Sequence, residues 1–146
     1  MAVGLQRVVR RALLTRLKSN APLIALVPAA SIFSSSSDLP EKPFVLLSSP
    51  TEQPIRASCV RGGTVTWDVH AFAGPVVDGT GAVTQTAEDH ASAIGAAIET
   101  ALADNNLALE GGGNARIRLS DKRMLPDDTP NAFHWFAQVN CRVLAE

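Results

Sequence analysis

The chain has 146 residues, 46% of them hydrophobic and 18% charged, with a formal net charge of −1. This composition is globular, not disordered, and a chain of this length buries roughly 70% of its unfolded surface, enough for a core without metal or disulfides. Near-neutral charge argues against tight nucleic-acid binding, which grows with neutralised phosphates, and a 5% aromatic share with no tyrosine argues against base-stacking platforms.

Residues 3–18 have the spacing of an amphipathic helix. Leu5, Val8, Val9, Ala12, Leu13 and Leu17 share one face, with Arg7, Arg10, Arg11 and Lys18 on the other. Leu14 falls among the basic residues, as expected of a helix packed against a partner. Residues 1–37 contain no acid, while the rest of the chain carries 8 basic and 14 acidic residues. A basic helix on an acidic body suits an acidic partner, including a second copy of the chain; a solvated helix face is the alternative. The basic, serine-rich opening mimics a transit peptide, but Pro22 and Pro28 interrupt its apolar run and no removed leader is expected. No apolar run approaches the ~20 residues of a membrane helix.

"SNAPLIALVP" predicts a turn and a single helical turn, capped by Ser19 or Asn20 and stopped by Pro28. "SIFSSSSDLPEKP" reads as a low-complexity connection, and "FVLLSS" as a short buried strand broken by Pro50 and Pro54. Residues 50–63 read as a loop, with a little strand near 55–60. "TVTWDVHAF" alternates Val65, Trp67, Val69 and Ala71 with Thr64, Thr66, Asp68 and His70. After a turn-rich loop, Thr86 has the spacing of a helix cap, and Ala87, Ala91, Ile94, Ile98, Ala101 and Leu102 form an apolar face of small side chains. Two alternating strands close the chain, the last about 12 residues or roughly 40 Å long, joined by "PDDTPN". The predicted fold is a single α+β domain over 1–146: an antiparallel four-stranded sheet, two main helices on one face, and a long, projecting C-terminal β-hairpin.

Chemical motifs are sparse. Asp68 and His70 point the same way and could form an acid–base pair or two metal ligands. A metal site needs three or four ligands, and His90 and His134 lack ligand spacing. No Gly-x-Ser-x-Gly elbow occurs. Cys59 and Cys141 form no Cys-x-x-Cys, so neither a zinc site nor a disulfide framework is readable. "GGGN" precedes a strand where a phosphate loop would precede a helix, and reads as a flexible linker. No catalytic, cofactor-binding or metal-binding residue is assigned.

The order of elements resembles the phage tail-completion proteins of the tail-terminator type, also found in prophages and gene-transfer agents. "LQRVVRRALLTRLKSNAPLIALV" is similar to the family's opening helix. "SIF" with "KPFVLLSS", "TVTWDVHAFA", the small-residue helix, "LAL" and the final hairpin follow in the family's order. Phe44, Ser48 and the long loop at 73–85 depart from its pattern. The resemblance implies a structural virion protein without enzymatic activity: a hexameric ring that caps the tail tube and docks to the head-closure, or stopper, protein, with DNA as cargo in the lumen. It places the protein in the virion neck, assembled in the bacterial host cytoplasm, with no cofactor and no membrane. Interface candidates are Arg7, Arg10, Arg11, Leu14 and Lys18 on the first helix. The polar sheet face adds Asp68, His70, Arg116, Arg118, Asn140 and Arg142, with Lys122 placed beside them, and the hairpin tip adds Asp127 and Asp128. Alternatives are another neck ring, an organellar protein with a transit peptide, or a small hydrolase or ligand-binding domain built on Asp68 and His70.

Overall fold

The computed structural model describes residues 4–35, 40–59, 61–103, 106–128 and 131–145. Residues 36–39 of the serine-rich connection and 129–130 of the "PDDTPN" turn lie outside these.

Helix α1 (Leu5–Lys18) buries Val9, Leu13 and Leu17, the centre of its apolar stripe. Leu14, at the border of the stripe, is half-buried and packs against the core. Helix α2 (Ala21–Ile24) follows, with the Asn20 side chain accepting from the Leu23 amide at 3.1 Å. Helix α3 (Ala87–Leu102) is capped by Thr86, whose Oγ1 accepts from the Asp89 amide at 3.2 Å.

The strands are β1 (Ile32–Phe33), β2 (Phe44–Arg56), β3 (Arg61–Ala73), β4 (Val76–Val77), β5 (Val83–Gln85), β6 (Asn106–Ala108), β7 (Asn114–Pro126) and β8 (Phe133–Ala145). Six of them form one sheet in the order β1-β2-β3-β8-β7-β6, and β4 pairs β5 in a separate two-stranded sheet. β1 runs parallel to β2; the remaining neighbours are antiparallel.

This corrects the expected four-stranded antiparallel sheet: the sheet is six-stranded and mixed, and a second small sheet accompanies it. The additional strands are two or three residues long, too short for a period-2 pattern to register. β2 also runs well past the prolines expected to end it. Two residues, Ser49 and Pro50, oppose Trp67 alone in a bulge between Ser48 and Thr51, with Ser49 at φ 50°. β1 pairs with Val45 and Leu46, and among the described residues no strand pairs with the outer edge of β2 farther along, the edge setting in which a proline such as Pro54 is tolerated.

Val65, Trp67, Val69, Ala71 and Ala73 of β3 and Trp135, Ala137, Val139 and Cys141 of β8 face inward and are buried. α1 and α3 cover this side, α3 against β3, β7 and β8. The small residues on α3 permit close approach: a Cβ on Gly95 would stand 2.5 Å from the Trp135 indole. The C-terminal hairpin is long, but its tip is anchored at the start of β2, where Lys42 Nζ lies 3.0 Å from Asp127 Oδ2. Two stretches are exposed at nearly every residue: Asp121–Pro126 of the hairpin strand β7, and Thr51–Arg56 of β2.

Candidate functional site

The outward face of the sheet carries the largest group of candidate residues, and its cross-strand rows change character along the strands. Phe44, Phe72, His134 and Leu125 make one row; Leu46, His70, Phe136 and Arg123 make the next. Ser48, Asp68, Gln138 and Ser120 follow, then Thr51, Thr66, Asn140 and Arg118, and finally Gln53, Thr64, Arg142, Arg116 and Asn106. One end is aromatic, the middle polar, and the other end basic.

At the aromatic end, Phe44 stacks between Phe33 and Phe72, with ring centroids 5.8 and 4.6 Å away. Phe72 stacks on His134 at 4.2 Å, and Phe136 lies 5.2 Å from His70. Ser48 Oγ and His70 Nε2 are 2.8 Å apart, and His70 Nδ1 hydrogen-bonds His134 Nε2. His70 thus engages Ser48 and His134, where the sequence suggested Asp68. Burial holds His70 below its ordinary pKa, the neighbouring His134 lowers it further, and Asp68 opposes both effects. Burial likewise lowers His134, against the pull of Asp127. Asp127 is itself held below the usual carboxylate range, chiefly by its hydrogen bond with Lys42.

In the middle, Thr66 Oγ1 donates to Asn140 Oδ1 at 2.9 Å, and Asn140 Nδ2 donates to Ser120 Oγ at 3.0 Å. The basic end presents Arg116, Arg118 and Arg142, all exposed. Lys122 does not join them. A bulge between Ser120 and Arg123, with Asp121 at φ 50°, turns its side chain to the helix layer, where Nζ lies 3.3 Å from Glu99 Oε1.

The α1 candidates lie apart from the sheet face. Arg7, Arg11 and Lys18 are exposed and Arg10 is half-buried; Arg11 pairs with Glu110 at 3.2 Å. Arg16, not among the candidates, reaches the carbonyls of Ala101 and Asn106, placing a cation at the C-terminal end of α3, where the helix dipole favours it. Asp127 is tied to Lys42, while Asp128 stays exposed at the hairpin tip. Sequence reasoning missed the aromatic end. The signal was present: Phe72 lies two residues beyond His70, and Phe136 alternates with inward Trp135, so both had to face outward.

This face offers hydrogen-bonding, aromatic and cationic surface spread over several strands, suited to broad contact. The chain matches a family of structural virion proteins, which are not enzymes. The match covers residues 11–144, and the chain belongs to the family of tail completion protein gp17. No curated protein matches it. Among solved structures, a chain from the virion of a native gene transfer agent particle is similar over 99% of this chain and 100% of its own, with a TM-score of 0.77 and 15% identity, a likeness of fold.

Proposed function

We propose that the protein is a tail terminator: a single domain that assembles into a ring of about six copies, closing the tail tube and joining it to the head-closure ring. The observation that carries this reading is the family match over residues 11–144. DNA passes through the lumen as cargo, and the ring sits in the virion neck after assembly in the host cytoplasm. The outer sheet face (Asp68, His70, Arg116, Arg118, Asn140, Arg142) supplies contacts between copies. Arg7, Arg10, Arg11, Leu14 and Lys18 on α1, with Asp127 and Asp128 at the hairpin tip, meet the neighbouring rings. The hydrolase alternative is set aside on the family match, since tail completion proteins are structural virion components.

The test is the native mass of the full chain, alone and mixed with tail tubes, together with electron microscopy of tube ends. A ring at the end of the tube is expected, and R7E/R10E/K18E should leave that ring intact while blocking head joining. A strict monomer under both conditions would sink the reading. A ring found on heads and never on tubes would make the protein a head-closure component instead.

A further inference from the structure

Arg116 on β7 and Arg142 on β8 are direct cross-strand partners, and Arg118 follows two residues on, opposite Asn140. Among the described residues, the ion pairs engage Arg11, Lys42 and Lys122, and none of these three arginines. Like charges directly opposite each other on adjacent strands are destabilising, so an isolated copy holds this arrangement at a cost. The three side chains line one hollow of about 730 Å³, which Thr64, Asn106 and Asn140 help to wall. Asn140 is held by Thr66 and Ser120, which keeps that wall in place. Guanidinium forks in such a setting match carboxylate or phosphate geometry.

The rest of the chain indicates which anion. From residue 38 onward it carries 14 acidic against 8 basic residues, so outside the basic first helix every copy has carboxylates to offer a neighbour's cationic hollow. Some of that surplus lies on another surface. Glu88 and Asp89 are exposed in the first turn of α3, on the helix layer. That turn lies near the end of β3, where His90 Nδ1 is 2.9 Å from the Gly74 carbonyl, whereas the hollow borders the beginning of β3 at Thr64. A site and its complement on different surfaces of one chain make a heterologous contact, the kind that closes into rings. A surface tracking a DNA duplex would continue its positive charge along the face. Here the next row is Ser120, Gln138 and Asp68.

We infer that the Arg116–Arg118–Arg142 hollow binds carboxylates of a second copy of this chain in a head-to-tail contact. The inference rests on the ring reading above and specifies how neighbouring copies join.

The test uses full-length R116E/R142E and R116Q/R142Q. Self-association is measured by sedimentation at low and high salt, and retention of a short DNA duplex by fluorescence anisotropy. Charge reversal should weaken self-association about tenfold or more, and neutralisation less. High salt should weaken the wild type in the same direction. At dilutions where both proteins are monomeric, R116Q/R142Q should melt at or above the wild-type temperature, because a like-charge pair has gone. If the wild type assembles and R116E/R142E assembles equally well, the inference falls and the ring reading stands. If reversal abolishes duplex retention and leaves self-association untouched, the hollow is a DNA face and the inference is overturned. If the wild type assembles neither alone nor on tail tubes, the ring reading falls and takes the inference with it.

Discussion

His70 and His134 hydrogen-bond each other on a half-buried face, so protonating both sets two like charges in contact. Asp68, Asp127 and the Asp127-bound Lys42 are the charged groups around them. In the unfolded chain each imidazole takes up its proton near pH ~6.5. In the folded chain both do so at lower pH. Below that unfolded value the unfolded state therefore binds more protons, and stability falls as pH drops through the lowered folded values. Melting temperature should decline from pH ~7.5 to ~5, and H134Q should flatten the slope; an equal decline in H134Q would show that the pair is not its source. Trp67 gives a second prediction. Its indole Nε1 is buried without a hydrogen-bond partner among the described residues. Leaving such a donor unmade costs about 1–3 kcal/mol, so Trp67→Phe, which removes it, should cost under about 1 kcal/mol in a denaturant melt. Trp67→Ala should cost about 3–5 kcal/mol. At this scale the sequence was informative about direction: alternation put Trp67 inward and Asp68 and His70 outward. It could not supply His70's partners, because Ser48 and His134 reach it from neighbouring strands 22 and 64 residues away along the chain.

The helices are the elements most legible in the sequence, because their caps and apolar stripes are local. Thr86 and Asn20 do what their side chains allow at a helix start. Glycine at position 95 looks like a defect by propensity alone, since alanine there would add about 1 kcal/mol of helix stability. Packing reverses the sign. The added methyl would press on the buried Trp135 ring, and overpacking of this kind costs about 1–3 kcal/mol. Gly95→Ala should therefore lower stability in a chemical melt, and should become neutral or stabilising in a Trp135→Phe background. A gain in the wild-type background would contradict this packing. The strands were less legible. Prolines at 50 and 54 suggested a loop, yet one sits in a bulge and the other on a stretch whose outer edge is unpaired among the described residues. In the β6–β7 hairpin, "GGG" forms a turn with all three glycines at positive φ, closed by the Leu109 amide on the Gly113 carbonyl at 3.1 Å, where a flexible linker was expected.

Taken whole, the molecule covers one side of a sheet with helices and leaves the other graded from aromatic to basic. Composition, patterning and element order by themselves determined the α+β class, the inward sets of β3 and β8, the apolar faces and caps of the helices, and the resemblance to tail-completion proteins. All of these follow from residues near one another along the chain. Tertiary structure alone decided the six-stranded mixed order, the anchoring of the hairpin tip by Lys42 and the transfer of Lys122 to the helix layer. It also decided the meeting of Arg116 with Arg142 and of His70 with His134. Each of these depends on register between distant strands. A bulge shifts that register by a residue and moves side chains to the opposite face, and no local pattern announces it.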